Sequence, residues 1–368
     1  MDFKVTPWKV SGRIDYEKLV REFGVSEIDD DLLKRFPEDH FMLKRGIFYA
    51  HRDLGVILDR FEKGESFYLY TGRGPSGRIH LGHLLPWIFN AFLQRTLNAD
   101  LYFQITDDEK FLFNENLSLE DTKTLAYENA LDIIALGFSP EKTTIFLDTE
   151  NTNVLYPIAL KVAKRVTFST ARAVFGFDNS TNIGSIFYTS MQSTPAFLLS
   201  EMKKEKIPCL IPCAIDQDPH FRVTRDVAGV LGYPKPASIY CKLLPSLLGS
   251  EKMSSSIPES SIFTTDDEDT VRRKIMNAFT GGGVSVKEQR IHGGNPDICP
   301  VYSYLYFFFE DSEERVNEVY SDCRSGKLLC GECKAKLAEK VNLFLKTHQE
   351  KREKARDRIG EFVKKIEP

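Results

Sequence analysis

The chain alternates between short apolar runs and longer stretches with helical spacing. Five runs are rich in β-branched and aromatic residues: Phe67–Tyr70, Asp100–Thr106, Thr144–Leu147, Cys209–Ile215 and Ala237–Leu243. Runs of that length and composition predict buried strands. Between the first two, Leu84, Leu85, Ile88, Phe89, Phe92 and Leu93 recur at the spacing of a buried helix. Strand, helix, strand predicts a βαβ unit with parallel strands. Ser118-Leu119-Glu120-Asp121 resembles a capping box opening a helix to about Leu136. Residues 154–172, a stretch from Phe187 through Leu199, and a segment with Arg222 and Arg225 read as further helices. Ahead of the first strand, Val5, Trp8 and Val10 suggest a short β element. Asp15 caps a helix carrying Tyr16, Leu19, Val20 and Phe23, and His51–Phe61 reads as another helix. After about residue 262 glycine-rich segments separate helical stretches. The pattern predicts three parts: a layer over 1–64, a parallel-sheet α/β domain over 65–262 and a helical domain over 263–368.

Composition narrows the class. The 368 residues are 42% hydrophobic and 28% charged, ordinary for a soluble enzyme. No apolar run approaches membrane-spanning length, so no membrane partner is expected. The N-terminus MDFKVTPWKV lacks signal-peptide character. Seven scattered cysteines, an odd number, favour reduced thiols and a cytoplasmic location. Cys330 and Cys333 form a CxxC near Cys323, but zinc wants four ligands, and His348 fits no spacing for the fourth. No structural zinc is expected. The net charge is −4, yet residues 334–368 carry 11 Lys/Arg against 6 Asp/Glu, a local +5. A nucleic-acid partner would be met by that local patch.

The chemistry centres on Phe67–His83, FYLYTGRGPSGRIHLGH. A strand, a turn with three glycines and a helix start form the layout that aims free N–H groups at an anion. The glycines let a ligand approach the backbone closely. His80 and His83, three apart, share one face of the helix start, so their N–H donors converge on one phosphate. The second strand runs into Asp107-Asp108-Glu109-Lys110 and the fourth into Asp216-Gln217-Asp218. Ligands of open α/β sheets bind at the carboxyl ends of strands, so these polar residues belong near the same crevice.

His80-Leu81-Gly82-His83 resembles the HIGH motif of class I aminoacyl-tRNA synthetases, and Lys252-Met253-Ser254-Ser255-Ser256 looks like their KMSKS loop. Further stretches narrow the resemblance to tryptophanyl-tRNA synthetases of the eukaryotic and archaeal type. They are Gln104–Lys110, Phe175-Gly176-Phe177, Cys209–Asp226, Gly232–Ala237 and above all Ala214-Ile215-Asp216-Gln217. The chain starts too late to hold the extra N-terminal helical hairpin domain common in the eukaryotic members. The resemblance implies a Rossmann-like class I synthetase catalytic domain with a C-terminal α-helical tRNA-binding domain that reaches the anticodon. It implies ATP, L-tryptophan and tRNA(Trp) as partners, Mg²⁺ carried on the ATP phosphates, no protein metal site, and a homodimer.

The same resemblance implies roles for individual residues. His80, His83, Lys252, Ser254 and Ser256 would act on the ATP phosphates. Thr71, Gly72, Arg73, Gly74, Gly82, Met253, Ser255 and Asp216 would bind ATP, Gly82 leaving room for a stacked adenine. Tyr70 and Gln104 would hydrogen-bond the indole N–H. Glu109, Lys110, Gln192 and Gln217 would hold the amino and carboxylate groups. Ser255 departs from the lysine usual at that place in the loop. The competing readings are a tyrosyl-tRNA synthetase, a smaller HxGH nucleotidyltransferase, and a synthetase-like binding protein without catalysis. Intact His80, His83, Glu109, Gln217 and Lys252 argue against the last.

Overall fold

A computed structural model describes residues 14–249, 253 and 257–367, together with the backbone of 4–5 and 10–11. Two short strands, β1 (Lys4–Val5) and β2 (Val10–Ser11), pair with each other. The other strands form one seven-stranded sheet: β3 (Ser26–Glu27), β4 (Phe48–Arg52), β5 (Tyr68–Arg73), β6 (Asp100–Ile105), β7 (Thr143–Leu147), β8 (Cys209–Ala214) and β9 (Ala237–Cys241). Their order across the sheet is β3-β4-β9-β8-β5-β6-β7. The last five are mutually parallel and match the five predicted strands.

Two strands were not predicted. β4 pairs antiparallel with β9, and β3 antiparallel with β4, so the N-terminal segment extends the sheet. His51, read as helical, is in β4, and the helix runs over Leu54–Glu62. The predicted helix over 154–172 is two helices, Thr152–Ala163 and Phe168–Phe175, the second capped by Thr167.

Parallel strands bury both faces. Leu69, Leu101, Phe103, Ile145 and Leu210 face one core layer, with Leu84, Phe89 and Leu93 of helix α1 (Leu81–Leu97). Tyr68, Tyr70, Phe146, Cys209 and Ile211 face the opposite layer, with Leu155, Ile158 and Leu198. The alternation Tyr68, Leu69, Tyr70 is the two-residue period of a strand.

Helix α2 (Asp107–Phe113) follows β6 directly, and helix α3 (Leu119–Ile134) crosses back along the sheet. The long C-terminal helix α4 (Cys330–Arg356) lies against α3. Arg352 bonds Glu128 Oε2 at 2.6 Å and Asp132 Oδ2 at 3.3 Å, while His348 Nε2 meets Asp132 Oδ1 at 2.9 Å. Arg352, one of the basic residues counted over 334–368, is thus spent on this internal network, with its side chain only 11% exposed. Lys351 and Lys354 are exposed. Beyond α4, Val363 pairs with Ile145 at the edge of β7, and Ile366 N donates to Asn151 Oδ1 at 2.7 Å. Cys299, Cys323, Cys330 and Cys333 line one small apolar pocket as free thiols. Burial pushes Cys333 up to about 12. Among the described residues, no group of three or more His, Cys, Asp or Glu side chains is placed to hold a metal ion.

Candidate functional site

The five parallel strands reverse their order between β5 and β8, which opens a crevice at their carboxyl ends. A cleft of about 290 Å³ lies there. It is lined from the end of β5 (Tyr70–Gly74), the start of α1, the β6–α2 junction, and the ends of β8 and β9. The structure therefore brings together Tyr70, Thr71, Gly72, Arg73, Gly74, His80, Gly82, His83, Glu109, Lys110, Gln192, Asp216, Gln217 and Met253. Lys252, Ser254, Ser255 and Ser256 lie outside the described residues.

One end of the cleft is built for an anion. His80 caps α1, and its backbone N–H donates to His83 Nδ1 at 3.2 Å. The two imidazoles stack with centroids 3.6 Å apart. Arg73 Nη1 stands 3.0 Å from His83 Nε2. Arginine only donates, and a neutral imidazole accepts at one nitrogen only, so His83 cannot accept from both His80 N–H and Arg73. An oxyanion placed between Arg73 and an Nε2–H would accept from both. Arg73 is half-buried; its burial lowers its pKa to about 10 against the opposing pull of Glu109 and Asp132. Its Nη2 is buried without a hydrogen-bond partner among the described residues. A Cβ on Gly82 would sit 3.1 Å from both the His80 ring and Met253 Sδ, so this wall is close-packed around a bare backbone.

The same cleft also gathers an acid, an amine and an apolar wall. Glu109 accepts from Lys110 Nζ and Thr106 Oγ1, each at 2.7 Å. Burial pushes its carboxyl up, but the charge and hydrogen bond of Lys110, the Thr106 bond and His220 together hold it below its ordinary value. It is thus an anion at neutral pH. Gly74 makes room: a Cβ there would run into Lys110 and come within 2.6 Å of Glu109 Oε2. Deeper in, Tyr70 presents its ring beside Ile211 and Cys213, with Phe221 edge-on at 6.0 Å. The Tyr70 hydroxyl donates to Gln104 Oε1 at 2.6 Å and accepts from Gln192 Nε2 at 2.7 Å. Tyr188 donates in turn to Gln192 Oε1. Gln104 does not line the cleft. It lies one layer behind Tyr70, completely buried, with Nε2 on the Asp148 carboxyl.

Several residues of the site went unread in the sequence. Asn129 of α3 accepts from Arg73 Nε at 3.3 Å and donates to Gly77 O at 3.0 Å. Asp148, just past β7, orients Gln104. Its place after a strand was a usable signal, the same one that marked Asp107 and Asp216. Lys242 reaches the cleft beside β9, with its ammonium 5.7 Å from the rings of both Tyr16 and Tyr49. His220 lies in the wall with its ring 4.8 Å from that of Phe175. Nothing local marks Asn129, Lys242 or His220.

The chain matches the class I tRNA synthetase family described as that of W and Y across residues 62–346. It is 52% identical over 365 residues to a tryptophan–tRNA ligase of Pyrobaculum aerophilum, covering 98% of this chain and 97% of that one. The solved tryptophanyl-tRNA synthetase of Giardia lamblia superposes with a TM-score of 0.89 at 38% identity, over 95% of this chain and 96% of the other. That of Encephalitozoon cuniculi, solved bound to tryptophan, gives 0.87 at 36% identity, over 96% and 99%.

Proposed function

The chain belongs to the class I tRNA synthetases for tryptophan and tyrosine, and from that premise we propose how its cleft makes it a tryptophan–tRNA ligase. It is an aminoacyl-tRNA ligase. The tryptophan carboxylate attacks the α-phosphorus of ATP. The new O–P bond forms as the bond to the β-phosphate oxygen breaks, and pyrophosphate leaves with that electron pair. A hydroxyl at the 3′ end of tRNA(Trp) then attacks the adenylate carbonyl carbon; the ester bond forms as the carbonyl C–O bond to phosphate breaks, and AMP leaves with that electron pair while the hydroxyl proton passes to a phosphate oxygen. No protein nucleophile is required, so the residues position the reactants and stabilise charge.

Glu109 takes the α-ammonium, with Lys110, Gln192 and Gln217 around the substrate's polar end. Thr71, Gly72 and Gly74 line the passage between the two substrates. His80, His83 and Arg73 meet phosphate oxygens at the start of α1, the adenine lies over Gly82 and Met253, and Asp216 borders the nucleotide. Lys252 and Ser254–Ser256 close on the leaving pyrophosphate. Mg²⁺ would be carried by ATP, bound mainly through phosphate oxygens, and would supply positive charge there. Tyr70, held by Gln104 behind it, reads the indole N–H.

The observation that carries the reading is one cleft that holds both the Tyr70 hydroxyl, beside the apolar Ile211, Cys213 and Phe221, and an ionised Glu109. Amino-acid-dependent ATP–pyrophosphate exchange across the standard amino acids tests it. Exchange driven by tryptophan supports the reading; exchange driven by tyrosine overturns it.

Three further points belong to the same proposal. The helical part over 263–368 approaches the anticodon end of the tRNA, with exposed Lys351 and Lys354 contributing charge. A second copy covers the exposed Tyr156, Leu160 and Ile183 on neighbouring helices, making a homodimer. The enzyme works in the cytoplasm. No helix among the described residues is long and apolar enough to cross a membrane.

A further inference from the structure

The hydrogen-bond chain behind Tyr70 has a single direction. Gln104 Nε2 lies 2.9 and 2.8 Å from the two carboxyl oxygens of Asp148, which is itself 1% exposed. An amide nitrogen donates and an amide oxygen only accepts. Nε2 therefore faces the carboxyl and Oε1 faces Tyr70. A carbonyl oxygen cannot donate, so the Tyr70 proton goes to it at 2.6 Å in preference to the Gln192 backbone carbonyl 3.4 Å away. Gln192 has the same logic: its Oε1 takes the Tyr188 proton, so its Nε2 donates to Tyr70. Both neighbours leave the Tyr70 oxygen as an acceptor toward the cleft.

The origin of this direction is Asp148. It does not line the cleft, and two more carboxyls stand beside it, Asp107 and Asp108. Burial, then the Asp108 charge, pushes the Asp148 carboxyl well up, and burial likewise raises Asp108. The two carboxyls interact with each other. A proton directed from Asp148 to Asp108 leaves lone pairs on both Asp148 oxygens for Gln104.

We propose that Asp148 is a positioning residue for amino-acid selection: through Gln104 it fixes Tyr70 as an acceptor, so that the cleft takes a ring bearing an N–H donor. The inference rests on the reading of the cleft as a tryptophan site. It adds a determinant that never touches the substrate.

The test is the ratio of kcat/KM for tryptophan to that for 3-benzothienylalanine, whose ring sulfur replaces the N–H, measured by pyrophosphate exchange. Asp148→Asn keeps the shape but adds a donor, so Gln104 can turn round and release the Tyr70 proton toward the cleft. The ratio is expected to fall about tenfold or more, because a site built on a substrate hydrogen bond owes its discrimination to that bond. In a Tyr70→Phe background the same substitution should change the ratio no further. A ratio undiminished in Asp148→Asn but lowered in Tyr70→Phe overturns the inference and leaves the tryptophan reading standing. A ratio undiminished in Tyr70→Phe overturns the reading of Tyr70 and the inference with it. An equal fall in both backgrounds shows that Asp148 acts elsewhere and also overturns the inference. Should Asp148→Asn fail to fold, Gln104→Met breaks the same relay, and an unchanged ratio there is equally decisive against it.

Discussion

Asn129→Ala separates a positioning role from a packing role at the phosphate end of the cleft. Asn129 is 3% exposed and is sequence-distant from the two groups it ties together, Arg73 and the carbonyl of Gly77. Removing its amide strips Arg73 Nε of its acceptor. Asn129 is buried, so the side that Nε loses faces packed protein. A hydrogen bond to a charged group contributes about 1.5–3 kcal/mol. At about 1.4 kcal/mol per decade that is roughly 10- to 100-fold in rate. If Arg73 meets charge that develops on the phosphates, the loss falls on kcat rather than on KM for tryptophan. The assay is pyrophosphate exchange with varied ATP and varied tryptophan, alongside thermal unfolding. Asn129→Asp keeps the acceptor for Arg73 and loses only the donor to Gly77, so it should retain most of kcat. A kcat within about twofold of wild type in Asn129→Ala, with a lowered Tm, would refute the argument and make Asn129 a packing residue.

Glu109→Gln should raise KM for tryptophan by about 10- to 100-fold while KM for ATP stays near wild type, because a charge-assisted contact to the α-ammonium is lost. Parallel saturation curves for the two substrates check it. Arg352→Met leaves Asp132, 3% exposed, with His348 as its remaining partner in that network. Breaking a buried pair costs about 3–5 kcal/mol, and the partial exposure of Arg352 and Glu128 brings this to about 2–3 kcal/mol. Urea unfolding reads that loss, and tRNA affinity measured on the folded protein should not change. Burial lowers His220 from 6.5 to about 4, so the unfolded chain binds more protons in that window. Its contribution to stability is complete above pH 6.5 and falls as pH drops toward 4. His220→Gln should flatten that part of the stability–pH curve, and an unchanged slope in chemical unfolding at several pH values would assign the effect to other groups.

Much of the parallel sheet and the anion end of the cleft was legible in the chain. Leu69, Leu101, Phe103 and Ile145 stand in short runs whose composition suits a strand buried on both faces. His80, Gly82 and His83 share one helix start, so their convergence follows from the pitch of a single element. Polar residues placed just past β6 and β8 indicated where the cleft would open. β4 was different. FYAHR followed by LGVILDRF carries both strand and helix character, and only pairing with β9, far along the chain, commits Phe48–Arg52 to a strand.

The sequence by itself determined the elements, their order and the residues that share one turn or one strand end, because backbone periodicity sets those spacings. Tertiary structure alone decided the partners of buried polar groups. Asn129 is 56 residues from Arg73, Asp148 is 44 from Gln104, and Arg352 is 224 from Glu128. A buried donor or acceptor must find a partner, but which one it meets depends on how sheet and helices pack. The direction of the Tyr70 hydrogen bond is settled in the same way, by a carboxyl brought up behind it from the next strand.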